Sequence, residues 1–357
     1  MQRPDLTYWT AVLFCVALAG TSRADSQAPV ITGRTMGTTY RIVYWGDGQA
    51  APKEIQAAVD QLLETFDQQM STYRPDSELS RFNQAPADKW FPVSADTAKV
   101  VAAAIDYHRQ TGGALDVTIG PVLRLWHFGP GSGRDRPDAL PPSDRELEIA
   151  LRLVGAERLE VRADVPALRK SLAGVEVELS SIAPGYAVDL AIELLLNCGF
   201  ANAMVEIGGE VRAAGVRPDG EPWRIGVESP GGEGAGRAPR RHGRGGSLAR
   251  VVPLANLALS TAGDYRILRA AGGVRYSHII DPRTGRALPS RGASVTVLAA
   301  TCLEADALDT PLLVMGAEAG YDWCVEHDVA AMFQERDETT GEVMARTTPR
   351  FDELVPE

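Results

Sequence analysis

The chain has 357 residues, enough for a large core and, by length alone, for about two domains. Its 45% hydrophobic and 23% charged residues are ordinary globular values. The formal net charge of −11 excludes the basic surface that non-specific nucleic-acid binding requires.

Residues 1–24 read as a secretory signal. Arg3 marks a short n-region, Trp9–Leu18 is apolar, and Ser22-Arg23-Ala24 puts small residues at −3 and −1 before Asp25. The run is short for a membrane span, so cleavage is expected and an uncleaved anchor is the alternative. Phe14 directly before Cys15 makes a poor lipidation signal. The expected product is an exported protein, periplasmic or associated with the cell envelope, with residues 25–357 as its mature domain. Cys198, Cys302 and Cys324 then remain. An odd number cannot pair completely, no Cys/His spacing suits zinc, and buried inert thiols are expected.

In chain order, Thr35–Trp45 alternates and is rich in β-branched and aromatic residues, which predicts an opening strand. Lys53–Met70 has helical spacing, and Ser71–Asn83 reads as a turn entering a short helix capped by Asp76 or Ser77. Ala95–Thr111 is a second helix ended by Gly112-Gly113, followed by a short strand or turn at Ala114–Gly120. Pro130–Pro142 is loop-like, Ser143–Val154 helical, and Leu159–Val165 and Gly174–Leu179 strand-like. Gly185–Cys198 is a strongly apolar helix stopped by Gly199, and strands are expected at Ala203–Ile207 and Trp223–Glu228. Residues 229–248 have the composition of a disordered basic insertion. Strands follow at Arg250–Leu254, Leu257–Ser260, Val274–Ile280, Ala293–Ala299 and Ala330–Gln334, with a helix at Ala317–Glu326 and a mobile tail from Glu335. Helices and strands intermingle without a βαβ rhythm, so the expected class is α+β, with mixed or antiparallel sheets and flanking helices.

The stretch Thr301–Gly316, TCLEADALDTPLLVMG, concentrates the chemistry. At helical period Asp306, Asp309 and Thr310 share a face, Thr301 is a cap with Glu304 three residues on, and Pro311 is placed to bend the helix. Two carboxylates and a hydroxyl suit a hard cation; a solvated acidic face is the competing reading. Three glycine-bearing turns accompany it. Glu178–Asp189, ELSSIAPGYAVD, is a strand–turn–helix whose free N–H groups would suit a phosphate. Val205–Glu210, VEIGGE, permits close backbone approach, and Tyr276–Gly285, YSHIIDPRTG, carries His278 on a strand.

The ordered series TMGTTY, STYRPDSELSRFN, GALDVTIGPV, SIAPGYAVD, VEIGGEVRAAG, LSTAGDYR, SHIIDPRTGRAL and SVTVLAATCLEADALDT closely resembles the FAD:protein FMN transferase (ApbE-like) family. The resemblance runs over roughly Thr35 to Gln334. It implies a Mg²⁺-dependent enzyme that cuts the pyrophosphate of FAD. The FMN half passes to a Thr or Ser of an exported or membrane-bound redox protein, and AMP is released. It further implies Asp306, Thr310 and Ser181 (through its carbonyl) as metal ligands. Met36, Tyr73, Ala114, Leu115, Asp116, Glu178 and Pro184 would contact the flavin dinucleotide, and His278 would be the base. The family pattern D-L-G-G-I-A-K-G-Y-A is replaced here by ELSSIAPGYA, so Pro184 stands where a Lys is usual. Arg217 and Arg283 are candidates to supply the missing charge. The alternatives are a FAD pyrophosphatase and a FAD-binding protein without catalysis.

Overall fold

The computed structural model describes residues 28–130, 140–230, 248–271, 274–337 and 339–356. Its centre is an eight-stranded sheet in which every neighbouring pair is antiparallel. From edge to edge the strands are Val30–Thr35, Thr38–Trp45, Asn202–Ile207, Glu210–Ala214, Ala258–Gly263, Ser294–Ala299, Ala330–Arg336 and Val343–Thr347. Period-two alternation sends successive side chains to opposite faces. Ile42, Tyr44, Val205 and Ile207 face the helices Pro52–Met70 and Ala183–Asn197 in the largest core cluster. Val43, Met204, Val211 and Leu259 face a two-stranded ribbon, Trp223–Glu228 with Leu248–Leu254, and the helix Pro349–Leu354. The α+β class with antiparallel sheets is as expected.

The helix Cys302–Met315 lies on the helical face against Ala258–Gly263 and Ser294–Ala299, its apolar residues filling a third core cluster with Val295, Val297 and Phe333. It runs on through Pro311 to Met315. Two small sheets flank the main one: Phe91–Pro92 with Ala167–Lys170 and Leu159–Arg162, and Leu268–Ala271 with Val274–Asp281 and Arg286–Pro289.

Several expectations need correction. Thr35–Trp45 is not one strand but two, folded into a hairpin through Met36 and Gly37, whose φ angles of 46° and 73° are those of a type I′ turn. Gly174–Leu179 is not a strand; it makes one isolated bridge, Glu176 with Ile119, and the strand lies at Ala167–Lys170. Gly120–Leu125 is a short helix, and Glu210–Ala214 is a strand hidden by its opening glycines. Among the described residues, the tail from Glu335 forms regular structure. Val343–Thr347 pairs with Ala330–Arg336, and the final helix sets Phe351, fully buried, beneath the sheet. Polar composition conceals this because that edge strand is exposed and only every third or fourth helix residue turns inward. The loop at 131–139 and the insertion at 231–247 lie outside the described residues.

The buried tail makes a direct prediction. Phe351→Ala should cost about 3–5 kcal/mol of stability, read from the midpoint of chemical denaturation, because its ring has no route to solvent.

Candidate active site

The competing reading of the acidic face, as a solvated surface, is excluded by burial: Asp306 is 4% exposed and Asp309 3%. Thr301 caps the helix by accepting the Glu304 N–H at 3.3 Å. Asp306 Oδ2 accepts the backbone N–H of Gly185 at 2.7 Å, which joins this helix to the SIAPGYAVD turn 121 residues earlier. Asp309 Oδ2 accepts the Ser260 hydroxyl at 2.7 Å and Asp309 Oδ1 the Thr310 hydroxyl at 3.1 Å. Burial, then the charges of Glu210 and Asp309, hold the Asp306 carboxyl well above the usual carboxylate range. Burial likewise raises Asp309 and Glu210.

Gly185 is required by space. A Cβ on it would stand 2.3 Å from the Cys302 carbonyl oxygen and 2.7 Å from Asp306 Cβ. The same contact corrects the expected phosphate cradle. The first N–H groups of the helix Ala183–Asn197 are not free: Ala183 donates to the Leu179 carbonyl, Pro184 has none, and Gly185 donates to Asp306. Ser181 and Pro184, both half-buried, flank this junction.

Opposite it, Gly208 and Gly209 form the two-residue turn of the hairpin Asn202–Ile207/Glu210–Ala214, with φ of 69° and 124°. The Gly208 N–H donates to the Thr39 carbonyl. A Cβ on Gly208 would come within 3.1 Å of Glu210 Oε2 and 3.2 Å of Thr38 Cγ2. The Met36 hairpin, the double glycine and Glu210 are therefore one corner of the molecule, and Glu210 acts on Asp306.

The remaining residues expected near the dinucleotide join through a chain of hydrogen bonds. Ser77 caps the helix Glu78–Gln84 and donates to the Ser71 carbonyl, closing the turn that carries Tyr73, 37% exposed. Asn83, on that helix, holds both the N–H and the carbonyl of Val177 at 2.8 Å. The next N–H, of Glu178, donates to Val117 at 2.7 Å. The half-buried Glu178 carboxylate accepts from Ser180, and burial raises its pKa. Ala114 and Leu115 are buried; the Leu115 carbonyl meets His108 Nδ1 at 2.9 Å. Asp116 is fully engaged within the chain, accepting from the Thr118 and Ala156 N–H groups, with His108 Nδ1 at 3.2 Å. Its carboxylate thus shapes the loop.

His278 is half-buried on Val274–Asp281, its N–H donating to Ile267. Burial first, then Arg266, lower its pKa to about 4, so the ring is neutral at pH 7. Both arginines considered as sources of the charge of a Lys at 184 are ion-paired. Arg217 is buried against Asp219, and Arg283 grips Asp281 at 2.9 and 3.1 Å. Arg266 is a cation whose charge acts on Glu210, Asp309 and His278 together. It stands in the LSTAGDYR segment, but nothing local distinguishes it from a surface arginine. Glu210 and Gly185 stand in the VEIGGE and SIAPGYAVD turns and Ser260 in LSTAGDYR, but their individual roles have no local signal.

All the oxygen donors here are hard, and buried carboxylates held above their usual range are stabilised by a divalent cation. Among the described residues, no three His, Cys, Asp or Glu side chains form a ready-made ligand set. Asp306, the Thr310 hydroxyl and the Ser181 carbonyl, the set the resemblance implies, are one acid and two neutral oxygens, hard donors of the kind Mg²⁺ takes.

Two substitutions test the geometry. Gly185→Ala should destabilise by about 1–3 kcal/mol in chemical denaturation, because a backbone carbonyl cannot yield to the new methyl. Glu206, buried beside Glu210, is pushed up to about 8 by burial and then by that charge. The folded state therefore holds this proton more tightly than the unfolded chain, and stability is lost as pH rises from about 4.5 to about 8. Glu206→Gln should flatten part of that decline in metal-free melting curves.

Comparisons with known proteins show the family. The ApbE family model matches residues 36–333. The FAD:protein FMN transferase of Vibrio cholerae is 43% identical over 313 residues, covering 87% of this chain and 89% of the relative. That of Haemophilus influenzae is 39% identical over 325 residues, 90% of each chain. Among solved structures, the flavin transferase ApbE from Vibrio cholerae superposes with a TM-score of 0.80 at 39% identity, over 92% of this chain and 99% of the other. The apo flavinyl transferase ApbE of Pseudomonas stutzeri gives 0.79 at 35%, over 93% and 98%. With a family model across most of its length and relatives of this similarity along nearly all of theirs, the chain belongs to the ApbE family.

Proposed function

We propose that this protein is a Mg²⁺-dependent FAD:protein FMN transferase. It cuts the pyrophosphate of FAD, releases AMP and joins FMN through a phosphoester to a Thr or Ser of a redox protein. The observation that carries this reading is the Gly185 N–H on Asp306, which holds the serine turn and the acidic helix in one site. The names of the relatives, all FAD:protein FMN transferases, support the same assignment.

Mg²⁺ bound by Asp306, Thr310 and the Ser181 carbonyl would offset charge on the diphosphate and polarise the transferred phosphoryl group. The chain's own residues do the rest. Gly185 ties up Asp306 Oδ2 and so orients the carboxylate, leaving its other oxygen for the ion. Met36, Tyr73, Ala114, Leu115, Glu178 and Pro184 line the way for the dinucleotide, with Tyr73 available to stack on a ring and Asp116 holding their loop in shape. Arg266 supplies the positive charge that Pro184 does not. The neutral His278 is in the protonation state needed to take the proton of the attacking hydroxyl. The signal-like residues 1–24 support an exported, periplasmic or envelope-associated enzyme, with a target in the same compartment and near the membrane.

Asp306→Ala should lower transfer of fluorescent FMN to a target protein, and AMP release from FAD, by at least on the order of a hundredfold. Labelling equal to the parent's would end the cation assignment. Steady AMP formation without any target would identify a pyrophosphatase, and FAD retention without AMP a binding protein.

A further inference from the structure

The two helices that meet at the site exchange their caps. Helix Cys302–Met315 begins in the interior, where water cannot satisfy its first N–H groups. Thr301 takes only the third. The first two, of Cys302 and Leu303, donate to Asp189 Oδ1 at 2.8 Å and Oδ2 at 3.0 Å. Asp189 belongs to the other helix, Ala183–Asn197, and is 3% exposed. In return Gly185, one turn before Asp189, donates its N–H to Asp306, one turn after Cys302. Each helix thus gives a carboxylate to the buried start of its neighbour. Arg212, on the strand Glu210–Ala214, adds a bond of 2.8 Å to Asp189 Oδ1 and ties that strand in.

We propose that Asp189 is a positioning residue for the cation site. Its carboxylate fixes the axial position and rotation of helix Cys302–Met315, and with them Asp306 and Thr310, relative to the Ser181 turn. The negative charge also suits the positive end of the helix dipole. Thr301 alone cannot do this, because it belongs to the helix it caps and fixes nothing relative to the neighbour. The proposal rests on the functional reading above, since it concerns how Mg²⁺ is held.

The test is Asp189→Asn, which keeps shape and one acceptor but turns an NH₂ donor towards an N–H. Three quantities are compared with the parent: hydrogen exchange at the Cys302 and Leu303 amides, Mg²⁺ binding to the FAD-loaded protein by calorimetry, and KM for FAD at saturating Mg²⁺. Faster exchange, Mg²⁺ affinity weakened about 10- to 100-fold, and KM for FAD changed less than about twofold are expected. Asp189→Glu, restoring the charge, should recover part of the affinity, and it carries the test if Asp189→Asn does not fold. Unchanged Mg²⁺ affinity despite faster exchange would overturn the proposal, leaving a cap of purely structural value. Weakened affinity without faster exchange would overturn it too, because the helix end would not be the route. A parent that takes no Mg²⁺ defeats the functional reading, and this proposal with it; equal affinities in parent and variant defeat this proposal alone.

Discussion

A backbone N–H buried without an acceptor costs on the order of 1–3 kcal/mol, and two helix starts buried against each other raise that demand several times over. This fold meets it with carboxylates drawn from the opposite helix. The solution works only at very close approach, which is why position 185 has no side chain. The site follows from the same contact. A carboxylate placed to satisfy a neighbouring helix is already buried, already oriented and already short of positive charge. Asp306 is all three.

Much of the fold was legible because it is written in local patterns. Pro52–Met70, Trp223–Glu228 and Ala317–Glu326 follow from periodicity and punctuation, and the observed bounds match the expected ones to within a residue. What failed was the part fixed by partners distant in sequence. The final strand, VMART, is short and largely exposed, so only its pairing with Ala330–Arg336 makes it a strand. Glu210–Ala214 follows two glycines, and its order comes from the strands on either side.

The site divides in the same way. Asp306, Thr310 and Ser181 stand out by residue type and by resemblance, and the structure brings their two segments together. Asp116 was expected to face the dinucleotide, yet its oxygens serve a turn, His108 and the Ala156 amide. Its charge was visible in the sequence; its obligations were not. Arg266 is the converse. As one arginine among many it carried no signal, and its importance is set by the acids around it. Because that cation comes from a different segment, a proline at position 184 leaves the acids opposed by Arg266.

The ribbon beneath the sheet has a consequence of its own. Its strands Trp223–Glu228 and Leu248–Leu254 are paired out to Glu228 and Leu248, so the ladder is closed before the connecting residues begin. The entropic cost of closing such a connection grows only with the logarithm of its length, by about 0.6 kcal/mol per doubling. The buried face of the ribbon, Trp223, Ile225, Val227, Val252 and Leu254, lies on the side of the sheet away from the acidic helix. Changes of length in the residues that join the two strands therefore cost little, because the ladder and the apolar face hold the ribbon without them.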